Sequence, residues 1–222
     1  MSLTHPGRRQ FMIGAASLAG LALAGCTTTG SSRVVEPQPI TPPPDVLSMY
    51  GPLPNEKFPI RAVNLAQVDP QFWRQEVIDP TGERPGTVVV DTASRFLYLV
   101  RDDGKALRYG CGIGRDGFSW SGRAEIAYKR EWPTWTPPAE MIAREPWLEP
   151  YRNGMEPGLE NPLGARALYI YQDGKDTLYR VHGNQDERAI GRAVSSGCVR
   201  LLQQDVIDLH RRVPAGSPIM VV

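Results

Sequence analysis

Val181-His182-Gly183-Asn184, followed after a polar interval by Ser195-Ser196-Gly197-Cys198-Val199-Arg200-Leu201, is the stretch on which the reading of this chain turns. An apolar run ends on a histidine, and after 16 positions a cysteine opens a second apolar run, so the chain loops out and returns beside itself. A cysteine is a nucleophile only as its thiolate, and a histidine nearby can take its proton. Gly183 and Gly197 remove side chains next to each candidate, which lets backbone and substrate approach closely. The amides of Gly197 and Cys198 are candidate donors to a developing oxyanion, the largest single contribution in acyl transfer. Arg200 fits either a surface ion pair or a bidentate hold on a substrate carboxylate. On residue type alone, a satisfied structural histidine and a buried inert cysteine are the competing readings.

Working outward, strand signals rich in β-branched and aromatic residues appear at Thr87 to Val90, Arg95 to Val100, and Lys105 to Gly112 after an Asp103-Gly104 turn. Others follow at Arg123 to Tyr128, Ala165 to Tyr171, Leu178 to His182 across Asp173-Gly174, and Ser217 to Val222. Leu202, Val206, Leu209 and Val213 recur at helical spacing, and Pro214 stops the run. The expectation is a mainly β domain of six or seven strands with one short helix near the site. Glu131 to Pro162 is dense in proline and carries Trp132, Trp135 and Trp147, which predicts an ordered flap rather than a bare connection.

Composition narrows the chemistry. A net charge of +1 over 222 residues, with no basic stripe, excludes nucleic acid as a partner. The three cysteines, Cys26, Cys111 and Cys198, show no Cys-x-x-Cys spacing. The histidines are His5, His182 and His210, too few for a three-histidine metal site once a leader is removed. No metal or other cofactor is expected. His210 reads as a solvated helix residue. Cys111 reads as a buried, inert thiol on a strand, the alternative being a disulfide with Cys198 in an oxidising compartment.

The N-terminal segment reads as an export signal across residues 1–26. Arg8-Arg9-Gln10-Phe11-Met12 precedes an apolar run from Ile13 to Ala24, shorter than the roughly 20 residues a membrane span needs. The paired arginines resemble a twin-arginine signal, with an ordinary secretory signal as the alternative. Leu23-Ala24-Gly25-Cys26 resembles a bacterial lipobox, which implies lipidation of Cys26 and a stable membrane anchor. Residues 27–60, rich in Pro, Ser and Thr, read as an extended tether. Residues 61–85 read as an N-terminal arm, and 86–222 as the catalytic domain.

The motifs together resemble the L,D-transpeptidase family of bacterial cell-wall enzymes. Besides the opening stretch, the likeness runs through Gly112-Ile113-Gly114-Arg115, Trp120-Ser121-Gly122, Pro133-Thr134-Trp135-Thr136-Pro137-Pro138, Asn161-Pro162-Leu163-Gly164-Ala165-Arg166-Ala167-Leu168-Tyr169 and Asp205-Val206-Ile207-Asp208-Leu209. It implies an L,D-transpeptidase-like β-sandwich or barrel in which Cys198 is the nucleophile and His182 its acid/base partner. The carbonyl of Gly183 would orient the imidazole, and Arg200 would lie near the acyl donor. Gly197 and Cys198 would supply the oxyanion amides, with Ser195, Ser196 and Asn184 as supporting substrate contacts. Many members carry histidine where this chain has Ser196, so His182 would work as the sole imidazole.

The implied reaction is attack on the L,D bond of a peptidoglycan tetrapeptide stem with release of terminal D-alanine. The acyl group would pass to a second stem, giving a 3-3 cross-link, or to an outer-membrane protein. Hydrolysis by the same acyl-enzyme and a non-catalytic wall-binding lipoprotein are the alternatives. The implied location is the periplasm, anchored to a membrane through lipid.

Overall fold

A computed structural model of the protein describes residues 41–114, 120–195 and 197–222, with the backbone alone at 194 and 195. The strands, in chain order, are β1 (Gln75–Ile78), β2 (Val88–Asp91), β3 (Phe96–Val100), β4 (Lys105–Gly110), β5 (Ile113–Gly114), β6 (Gly122–Glu131), β7 (Arg166–Gln172), β8 (Lys175–Asn184), β9 (Ala193–Ser195), β10 (Val199–Leu202) and β11 (Ser217–Val221). Three helices accompany them: α1 (Pro44–Met49), α2 (Ala139–Arg144) and α3 (Gln203–Arg212).

Nine strands form one sheet in the order β1-β4-β3-β2-β11-β6-β7-β8-β10, while β5 and β9 pair separately. The β2–β11 and β8–β10 pairs are parallel; the other neighbours in the large sheet are antiparallel. Side chains from all strands of that sheet except β1 share one buried cluster, including Val88, Leu97, Tyr109, Ile126, Leu168, Val181, Leu201 and Ile219. A long sheet brings so many strands to one cluster only by curling, which its intrinsic twist permits. The curl nearly closes. The edge strand β10 reaches back to the segment after β4, where Gly112 and Arg200 exchange two backbone hydrogen bonds of 2.9 and 2.8 Å. The result is the mainly β, barrel-like architecture expected from sequence.

Helix α3 plugs this curled sheet. Val206 and Leu209 are fully buried and Val213, its C-cap, nearly so, the spacing the sequence predicted. Its charged side is also held inside. Tyr50 donates to Asp205 at 3.1 Å, Tyr109 donates to Asp208 at 2.8 Å, and Arg74 lies 2.9 Å from Asp208.

Several expectations need correction. The tether was drawn to residue 60, yet residues 44–60 pack on the domain. Pro44 starts α1, where its missing N–H costs nothing. Tyr50 is 1% exposed, Leu53 and Ile60 pair across two backbone bonds, and Glu56 takes Arg166 at 2.8 Å and the Trp132 indole at 2.9 Å. The arm at 61–85 contributes β1, an edge strand paired with β4. Helices α1 and α2 are additions to the one helix expected. His210 is not a freely solvated residue: burial, with Lys129 and Arg166 nearby, lowers its pKa to about 4.

The Pro-rich stretch is ordered, as its tryptophans predicted. Trp135 and Met155 form a doubly bonded bridge, and α2 and a 3-10 turn at Pro146–Tyr151 fill the interval. Asn161, 2% exposed, closes it by donating to the carbonyls of Pro133, Met155 and Glu156 at 3.0–3.1 Å while accepting from the Leu163 amide at 2.9 Å. Trp147 stays 66% exposed on the flap.

Candidate active site

The parallel pair β8–β10 builds the site. Its register sets Val199 opposite Val181 and Arg200 opposite His182. Val181, Val199 and Leu201 are fully buried in the core. Side chains alternate across a strand, so Arg180, His182 and Arg200 stand on the other face, and Cys198 immediately precedes β10.

His182 is 4% exposed, with Nδ1 2.8 Å from the carbonyl oxygen of Gly183. Burial lowers its pKa to about 4; the Gly183 and Pro162 carbonyls oppose the fall, and the positive charges of Arg200 and Arg180 add to it. The resting ring is therefore neutral at pH 7, and Gly183 favours the tautomer with the proton on Nδ1. Gly183 itself donates to the Leu163 carbonyl at 3.1 Å, tying the strand to the loop that follows Asn161.

Cys198 is a reduced, partly exposed thiol outside any disulfide, and its Sγ lies 4.0 Å from the Leu178 carbonyl oxygen. Burial of the sulfur from bulk water raises its pKa; the Arg180 amide and the charges of Arg180 and Arg200 pull it down, and Asp176 pushes it up. Leu178 sits at φ 62° in a bulge between β7 and β8, a conformation costly for a branched side chain. Its amide is held by Asp176 at 2.8 Å.

Gly197 has φ 129°, a region open to glycine alone in practice, and its backbone packs directly against Gly114 of β5. The backbone of Ser195 pairs with Gly114 in β9. Asn184 turns its amide onto the Asp186 carbonyl at 2.5 Å, closing a turn. Ser196 and Cys26 lie outside the described residues, as does Arg115 of the Gly112-Ile113-Gly114 motif. Cys111 is fully buried and free, with burial raising its pKa to about 12, so its thiol is inert at neutral pH.

Three further residues stand beside the site without a motif to mark them. Gln203, the first residue of α3, accepts from the Ala165 amide at 2.9 Å and fills the space above Gly164 and Gly183, where a Cβ would meet its amide at 2.4 and 2.3 Å. Arg180 and Asp176 form a bidentate pair at 2.7 Å. Arg180 was legible in principle, since two residues before His182 on a strand means the same face.

A mainly β domain with an imidazole on one strand and a thiol just before the strand that pairs parallel with it defines a class of cysteine enzyme candidates, and comparison with known proteins assigns the family. Residues 85–221 match the L,D-transpeptidase catalytic domain (YkuD), and the chain belongs to that family. It is 34% identical over 161 residues to the Fuscovulum blasticum protein named "Putative L,D-transpeptidase in ATP synthase subunits region ORF 5", covering 72% of this chain and 79% of that one. It is 33% identical to "Probable L,D-transpeptidase YbiS" of Escherichia coli K12 over 67% of this chain, but spans only 48% of that protein. A solved structure from Brucella melitensis, described as a probable carnitine operon oxidoreductase, is 45% identical over 72% of this chain and 99% of its own, with a TM-score of 0.50. That description concerns the Brucella protein.

Proposed function

We propose that the protein is a peptidoglycan L,D-transpeptidase working through an acyl-enzyme on Cys198. The observation that carries this reading is the β8–β10 register, which sets the Cys198–Arg200 segment beside Arg180 and His182, with the imidazole oriented by the Gly183 carbonyl. The Cys198 thiolate attacks the carbonyl carbon of the L,D bond in a tetrapeptide stem. The C–N bond to terminal D-alanine breaks, and the proton taken from the thiol by His182 passes to the leaving amine. The amides of Gly197 and Cys198 receive the oxyanion, and Arg200 holds the donor carboxylate. An amine of a second stem, or of an outer-membrane protein, then takes the acyl group and frees the thiol.

The same acyl-enzyme would give a carboxypeptidase if water were the acceptor. Export, lipidation at Cys26 and a periplasmic, membrane-anchored location complete the proposal; they rest on the leader sequence.

Incubation with a disaccharide-tetrapeptide, followed by mass analysis of the muropeptides, tests the assignment. A 3-3 cross-linked dimer with free D-alanine is expected. A tripeptide alone would move the assignment to hydrolysis, and an unchanged tetrapeptide would contradict it.

A further inference from the structure

We propose that Arg180, braced by Asp176 and Tyr169, is the fixed positive charge that stabilises the Cys198 thiolate, a positioning role that rests on reading Cys198 as the nucleophile. The chain places it near the thiol: β10 begins at Val199 opposite Val181, Cys198 immediately precedes it, and the Cys198 Sγ lies 4.0 Å from the carbonyl oxygen of Leu178, two residues before Arg180 on β8, whose charge and amide both act on the sulfur. Arg180, next to the buried Val181 on β8, stands on the opposite face of that strand.

The guanidinium is immobilised on several sides. Its two terminal nitrogens each lie 2.7 Å from a carboxylate oxygen of Asp176, and one also donates to the Tyr179 carbonyl at 2.8 Å. Its central carbon sits 4.4 Å from the centre of the Tyr169 ring, which is itself stacked on Tyr128 at 4.3 Å. The Arg180 side chain is 13% exposed, against 30% for Asp176, so the cation is the more sheltered partner. A guanidinium stays charged at any working pH, and one fixed in a poorly solvated place acts on a neighbour far more strongly than a surface charge.

The site needs such a charge. Burial opposes both the thiolate and the imidazolium, so moving a proton from Cys198 to His182 is uphill unless the resulting anion is compensated. Among the described residues, the charged groups that act on the thiol are Arg180 and Asp176 from β8 and Arg200 from β10, with His182 neutral at rest. Arg200 supplies positive charge too, from the one half-buried position of the short strand β10. Asp176 does two opposing things: it holds Arg180 in place and caps the strained Leu178 bulge, while its own charge disfavours the thiolate.

The pH dependence of Cys198 alkylation by iodoacetamide, read by peptide mapping on the full chain, tests this. The thiolate displaces iodide, so no stem peptide or turnover is involved. Arg180→Met should move the midpoint up by about one unit or more, the usual effect of losing an opposite charge at close range. Asp176→Asn should move it down, because Arg180 then acts unopposed, and Arg180→Lys should restore most of the wild-type profile. A midpoint unmoved in R180M, or shifts of the same sign in R180M and D176N, would overturn the proposal. If R180M does not fold, the downward shift in D176N and the near-native profile of R180K decide it. Shifted profiles without muropeptide turnover in the wild type would sink the proposed function alone; normal turnover with unshifted profiles would sink this inference alone.

Discussion

The Nδ1 atom of His182 lies 2.8 Å from the carbonyl oxygen of Gly183, the residue that follows it on β8. This contact fixes one ring nitrogen as donor and leaves the other as the proton acceptor. With the histidine pKa lowered to about 4 and the Cys198 thiol raised, both by burial first, the resting pair is thiol and neutral imidazole rather than an ion pair. Alkylation of wild-type Cys198 should therefore climb with pH through the neutral range, about tenfold per unit for a single titrating thiol. A flat rate from about pH 5 to pH 8 would instead reveal a thiolate–imidazolium pair.

Gly114 bears on the nucleophile through backbone contact. A methyl group there would sit 2.6 Å from the Gly197 Cα and 2.7 Å from its nitrogen, so Gly114→Ala must displace the residue that precedes Cys198. Because a misplacement near 1 Å can cost about 100-fold, acylation should fall at least tenfold with the circular dichroism spectrum retained. A wild-type rate constant for stem-peptide acylation in G114A would show that the Gly197 amide does not need its present place.

Asn161 holds the flap shut. Its side chain is buried and serves three carbonyls and one amide, with only two N–H donors to share among the three. Asn161→Ala leaves those groups unpartnered and should cost about 2–4 kcal/mol in urea unfolding. Limited proteolysis should then cut within residues 139–155, and resistance equal to wild type would contradict the staple.

Asp205 gives stability a pH term of its own. Burial raises its pKa to about 7, against Arg74 and the Tyr50 hydroxyl, which lower it. A carboxyl with a raised folded pKa contributes stability that is complete below its unfolded value near 3.9 and is lost as pH rises through about 7. Between pH 5 and pH 8 the wild type should lose about 2 kcal/mol relative to Asp205→Asn, where this titration is absent. Urea unfolding of both proteins at the two pH values checks it; a difference that does not change with pH would contradict it.

What the sequence disclosed follows from where residues sit. Seven strands were legible because runs such as Val88-Val89-Val90 and Phe96 to Val100 are rich in β-branched, aromatic or leucine side chains and buried on one or both faces. β1 was not, since Gln75-Glu76-Val77-Ile78 is an edge strand left mostly exposed, with Ile78 84% accessible. β5 and β9, of two and three residues, are too short to show a period, yet they carry Gly114 and Ser195. The prolines at 42–44 suggested a stiff tether, but Pro44 opens a helix that Tyr50 anchors to Asp205. Histidine and cysteine declared themselves by type. Arg180, Asp176 and Gln203 did not, because a charge or an amide on a strand or helix start reads as a solvated residue until the register shows what it faces.

The claim at the centre of this account is that Cys198 becomes acylated. Intact-mass spectrometry of the protein after brief exposure to a tetrapeptide stem measures it directly, with proteolytic mapping of any adduct. The account expects an adduct equal to the stem less D-alanine, mapped to Cys198 and absent from Cys198→Ala. An adduct on another residue, or D-alanine release by the Cys198→Ala protein, would contradict it.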